Sequence, residues 1–159
     1  MKFAADAMLG KLALWLRALG HDTTYEKDIE DDVLIRRSKD EGRLLLTRDT
    51  RMVRRLTPGE YLFIRDNAPI DQLRQAVSEL GLSVDSDEAL TRCLRCNTAL
   101  TVVDKESVKG LVPDYTFERT SKFHRCPGCG RVYWPGTHEA RMRERLNNIA
   151  GEGNDRTKL

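Results

Sequence analysis

The chain has 159 residues, of which 40% are hydrophobic and 33% charged, a globular but highly charged composition. Its longest apolar run, Leu12 to Leu16, is far too short to cross a bilayer, so no membrane partner is expected. Residues 1–87 carry 14 basic and 16 acidic side chains, a net of −2, and residues 88–159 carry 13 and 9, a net of +4. The basic half is therefore the one suited to an anionic partner.

Taken in order, Lys2 to Ala5 is a short apolar stretch that stops at Asp6. Leu9, Leu12, Ala13, Leu16 and Leu19 then recur at helical spacing, and Gly20 supplies the C-terminal cap. Thr23-Thr24-Tyr25 reads as a strand, followed by a helix from about Asp31 to Glu41 that Gly42 stops. Leu44 to Thr47 is a continuous apolar strand of the kind buried on both faces. A short helix from Thr50 to Leu56, a Pro58-Gly59 turn and a second buried strand, Tyr61 to Ile64, come next. Ile70, Leu73, Val77 and Leu80 mark a helix opened near Pro69 and closed by Gly81. Strands and helices thus alternate four times, which predicts an α/β fold with a parallel sheet flanked by helices over residues 1–82. Ser83 to Asp87 is the expected joint. A second module over 88–149 ends in a helix, roughly His138 to Ile149, and residues 150–159 read as a disordered tail.

The second module holds the only four cysteines, as Cys93-x-x-Cys96 and Cys126-x-x-Cys129. A two-residue gap lets the backbone turn so that both thiolates face one ion, and two such turns complete a tetrahedral Zn²⁺ site. Pro127 and Gly128 suit the second turn, and Asn97 follows the first, where left-handed geometry is tolerated. The 29 residues from 97 to 125 exceed the short gap of a simple ribbon and predict an enlarged insertion. Two disulfides would need an oxidising compartment. The N-terminus shows no apolar signal segment before Asp6, so a soluble, cytoplasmic protein is expected. A redox CxxC would leave the other pair unexplained, and an iron–sulfur cluster also takes four cysteines. With no ligand position left open, a zinc here is structural.

Asp6 ends the first strand and Asp49 follows the third, at the carboxyl rim where open parallel sheets bind ligands. Asp31 begins the second helix at the same rim, with Asp32 as its rival; Glu26, Asp28 and Asp66 lie on that side too. Clustered carboxylates repel unless a cation neutralises them, and an all-oxygen donor set favours Mg²⁺ or Mn²⁺. The residues allow an equally simple reading. Asp6, Asp31 and Asp49 all precede helices, where Asp is a favoured cap.

Phe3 to Leu12, Trp15-Leu16-Arg17 and Arg43-Leu44-Leu45-Leu46-Thr47-Arg48-Asp49 resemble the PIN-related family called the mut-seven C-terminal RNase domain. So do both cysteine knuckles and Val132 to His138, and the likeness extends from Lys2 to about Leu146. The resemblance implies a PIN-like fold fused to a zinc ribbon and a metal-dependent ribonuclease activity. Its acidic positions carry over to Asp6, Asp31 and Asp49, and Asp66 is what the chain offers as a fourth acid. RNA is then the expected partner, with the basic ribbon and last helix holding the strand. Tyr133 and Trp134, beside Arg131, are candidate stacking platforms. Trp15 reads as packing surface and His138 as a helix cap. A non-catalytic RNA- or ribosome-binding protein with a vestigial site is the alternative; a toxin-like nuclease neutralised by a partner is a third.

Overall fold

The hydrophobic strands Phe3-Ala4-Ala5 and Leu44-Leu45-Leu46 have no polar face, so both sides of the sheet they form must be covered. A computed structural model, describing residues 1–84 and 87–155, shows how. Strands β1 (Lys2–Ala5), β2 (Asp22–Tyr25), β3 (Leu44–Thr47) and β4 (Tyr61–Phe63) form one sheet in the order β2-β1-β3-β4. Every pairing in it is parallel. Alternate residues of each strand serve opposite faces. Phe3, Ala5 and Leu46 join Leu12 and Leu16 of α1 (Gly10–Ala18) and Leu73 of α4 (Pro69–Leu80). Ala4 and Leu45 pack with Leu34 and Ile35 of α2 (Asp31–Asp40) and Met52 of α3 (Thr50–Val53).

The expected α/β order is present, with shifts at the margins. Helix α3 stops at Val53 rather than Leu56. Strand β4 is half-buried throughout, because it forms an edge of the sheet rather than its middle. Pro69 opens α4 and Gly81 closes it in the left-handed region.

The cysteine half contains an antiparallel sheet of β5 (Thr101–Val103), β6 (Phe123–Arg125) and β7 (Val132–Tyr133). The predicted insertion is folded. It holds a short helix, α5 (Asp114–Arg119), and Val108 and Val112 bury against Phe123 with Trp134 beside them.

The last helix, α6 (Thr137–Asp155), does not belong to that small core. Met142, Leu146 and Ile149, spaced as one helical face, join the core of the first half alongside Leu16 and Leu73. Each such side chain contributes about 1.5–3 kcal/mol on full burial, so the chain's end is fastened to its beginning. The helix also runs past Gly151, into what reads from sequence as tail. Of the expected joint, Asp85 and Ser86 lie outside the described residues, as do tail residues 156–159. Among the described residues no helix is long and apolar enough to cross a membrane.

Candidate metal centre and acidic rim

The two knuckles repeat one backbone design. The Cys93 amide donates to Thr98 O (2.8 Å) and the Asn97 amide to Cys93 O (2.9 Å). In the second, the Cys126 amide donates to Arg131 O and the Gly130 amide to Cys126 O, both 2.9 Å. Asn97 and Gly130 occupy equivalent left-handed positions, with φ of 72° and 77°. Asn tolerates that conformation through its short polar side chain.

These turns bring all four sulfurs within 4.8 Å of one another, with none in a disulfide. Cys93 Sγ lies 3.6 Å from Cys129 Sγ, and Cys96 Sγ lies 3.3 Å from Cys126 Sγ. A tetrahedral zinc with Zn–S near 2.3 Å requires sulfurs about 3.8 Å apart, so the cage needs only slight opening. The Cys129 amide points at Cys126 Sγ (3.4 Å), a donor for a thiolate. Hydrogen bonds around Thr98 bring Cys96 down to about 6. The Arg131 amide pulls Cys129 down, but burial and the other sulfurs outweigh it and push that thiol up to about 11. A cation among the sulfurs would hold all four as thiolates, and the donor set fits zinc.

Tyr133 and Trp134 are half-buried and each makes contacts within this module. The Tyr133 hydroxyl sits 3.1 Å from Cys93 Sγ and accepts the Leu94 amide at 3.1 Å. Trp134 packs against Phe123, ring centres 6.5 Å apart. Trp15 is buried in the main core, as its neighbours suggest. His138 is exposed in the first turn of α6 and Arg141 and Arg145 face outward, while Arg143 pairs with Glu139.

The first knuckle is clasped to the α/β half. Arg17, buried on α1, donates Nε to Thr23 O and Nη1 to both Leu94 O and Arg95 O, all at 2.9 Å. The Asn97 side chain accepts the Thr23 amide (2.9 Å) and donates to Asp22 (2.7 Å). Asp22 is also bridged by Arg43 at 2.6 Å. Strand β2 is the sheet's other edge, and the knuckle covers its exposed backbone.

The acidic rim lies where the sheet reverses direction. From β1 the chain moves outward to β2, then crosses back to β3, so the topological switch point falls between β1 and β3. Asp6 follows β1 and Asp49 follows β3. Asp6 is buried; Oδ1 accepts the Met8 amide (2.8 Å), and Oδ2 accepts the Thr47 hydroxyl (2.5 Å) and the Arg48 amide (3.0 Å). Thr47 Oγ1 in turn accepts the Asp49 amide at 3.0 Å. One hydroxyl therefore connects the two acids. Sequence reasoning passed over Thr47, although a lone hydroxyl ending a buried apolar strand signals it. Asp49 Oδ1 accepts the Arg51 amide (2.8 Å), chiefly through which its carboxyl is held below the usual range.

Asp31 stands exposed at the start of α2, and Asp32 is engaged by Arg55. Asp66 is exposed after the far edge strand and Glu26, paired with Arg37, follows the near one. Among the described residues only the cysteines form a group of three or more whose ligand atoms all lie within 4.8 Å. The aspartates share a rim without closing to that distance.

No curated protein and no solved structure matches the chain. The family model described as Mut7-C RNAse domain matches residues 1–146, nearly the whole length and both structural halves. The chain belongs to the Mut7-C RNase domain family.

Proposed function

We propose that the protein is a Mg²⁺- or Mn²⁺-dependent ribonuclease whose ligands are Asp6, Asp31 and Asp49, with zinc on the four cysteines as a structural ion. Membership of an RNase domain family supports a nuclease-like role. The carrying observation is the pair Asp6 and Asp49 at the switch point, tied together through Thr47.

The donor set suits a hard cation. A carboxylate offers about four lone-pair sites. Asp6 uses three for Met8, Thr47 and Arg48, so it is oriented yet keeps one for a ligand. Asp49 accepts the amides of its own helix start, and with Asp32 occupied by Arg55, Asp31 is the free acid in the first turn of α2. When bound, a divalent ion would supply Lewis acidity and lower the pKa of water. Asp6 would supply the inner ligand and Asp49 and Asp31 the outer ones, and Arg48, Arg51 and Arg54, next to Asp49 in the chain, would meet phosphates. The four free thiols suit a reducing, cytoplasmic setting.

A second reading has its own observation. Asp6 and Asp49 both accept amides as helix caps do, so a non-catalytic RNA-binding protein could keep them for structure alone. Cleavage of single-stranded RNA with added Mn²⁺ separates the two. The nuclease reading expects chelator-sensitive cleavage that falls ~10²-fold or more in Asp6→Asn and Asp49→Asn. Since Asn caps about as well as Asp, melting temperature should hold in Asp49→Asn; in Asp6→Asn the new NH₂ meets buried donors and some stability is lost, so folding is checked beside activity. Wild-type cleavage surviving in Asp49→Asn would exclude this acid set.

A further inference from the structure

A cavity of about 230 Å³ opens between the β2 edge, α2 and the first knuckle. We propose that it is a subsite for one nucleotide of a single-stranded RNA, next to the acidic rim; this rests on RNA being the partner.

The lining has two parts. Ala4, Ile29 and Leu34 make an apolar wall, and Tyr25 adds an aromatic ring. Arg17, Arg37 and Arg95 bring three cations against Glu26 and the Cys96 sulfur. A site for a bare anion would have no use for the apolar wall, and a purely apolar ligand none for the arginines. A nucleotide uses both, its base against apolar and aromatic surface and its phosphate on guanidinium groups. The volume falls below the ~300–1,000 Å³ of sites for drug-sized ligands, so it admits a single unit rather than a folded segment.

Each arginine is available to a different degree. Arg17 is held rigid by three carbonyls, but its Nη2 has no acceptor among the described residues and is not sealed from solvent. Arg95 is exposed; its backbone serves Arg17 and Cys93, and its side chain makes no hydrogen bond among the described residues. Arg37 holds Glu26 at 3.0 Å with both side chains about half exposed, a pair weak enough for a phosphate to displace.

Position links the cavity to the acids. Ala5 lines it and directly precedes Asp6, and the Tyr25 hydroxyl donates to Ala7 O at 3.2 Å on the other side of that acid. A strand with one nucleotide in the cavity therefore runs toward the rim. The zinc knuckle supplies one wall, which gives the metal a part in RNA binding.

The test uses the zinc-loaded full chain without added Mg²⁺ or Mn²⁺, and a fluorescent oligouridylate of about ten nucleotides followed by anisotropy. Arg95→Glu and Arg37→Glu should each weaken binding roughly tenfold and flatten its salt dependence, with melting temperature held. Lys2→Glu, the same charge change at the exposed start of β1, away from the rim, should alter affinity less than twofold. Wild-type affinity in Arg95→Glu, or an equal loss in Lys2→Glu, would overturn the subsite. Arg95 makes no side-chain contact that folding needs, so it decides the matter even if Arg37→Glu unfolds. Cleavage is read separately with Mn²⁺, in the wild type and in Asp6→Asn. RNA that the wild type leaves uncleaved, with binding that still depends on Arg95, would sink the nuclease and keep the subsite. Cleavage indifferent to Arg95 and Arg37, with unchanged binding, would do the reverse.

Discussion

Thr47 donates its hydroxyl to Asp6 across the β1–β3 pair, at 2.5 Å, in a position with no solvent exposure. The same oxygen receives the Asp49 amide, so the acids after two different strands are set relative to each other by one buried atom.

Thr47→Val keeps the shape and removes the link. It leaves a buried carboxylate oxygen short of a donor and an amide short of an acceptor, which costs about 1–3 kcal/mol. Urea unfolding should show that loss, and RNA cleavage should fall in kcat more than in KM if Thr47 positions Asp6. Thr47→Ser should restore both. Equal stability in Thr47→Val would deny the hydroxyl this role.

Arg17→Met tests the clasp between the halves. Three carbonyls lose a charged donor, a destabilisation on the order of 3 kcal/mol. Arg17→Lys should recover little, because an ammonium cannot copy the planar fork that reaches Thr23, Leu94 and Arg95 together.

Zinc removal should reach beyond the ribbon. Elemental analysis should find one zinc per chain; iron would overturn the assignment. Structural zinc sites supply on the order of 10 kcal/mol. Losing the ion by chelation, or through Cys126→Ser, should release the knuckle carrying Asn97. The Thr23 amide is protected by the Asn97 side chain, so its hydrogen exchange should accelerate with that of residues 92–100. Protection kept at Thr23 would show that the knuckle holds its place without metal.

Gly20→Ala probes a second seam. Gly20 has φ of 91°, and a Cβ there would meet the Glu88 carbonyl oxygen at 2.5 Å. The neighbouring bonds, Leu90 N to Ala18 O and Arg92 Nε to Gly20 O, join the two halves. The substitution should cost at least 1 kcal/mol, more than backbone preference alone, and thermal unfolding would show it. Wild-type stability would mean that residues 87–92 give way freely.

What the sequence determined by itself was local. Apolar runs, a helical repeat ended by Gly20 and another ended by Gly81 specify elements, because each acts through residues one turn away. The cysteine spacing specifies two knuckles for the same reason, and the family likeness agrees with the match over residues 1–146. Tertiary structure decided which surfaces those elements use. An amphipathic α6 can cover any apolar face, and only the packed fold assigns Met142, Leu146 and Ile149 to the main core rather than to that of the ribbon. Tyr133 and Trp134 carry faces that suit a base or a core equally, and the fold sets one beside Cys93 and the other against Phe123 while leaving both half-buried. Thr47, Arg17 and Asn97 act on partners brought near by sheet order and docking, which no local period in the sequence encodes.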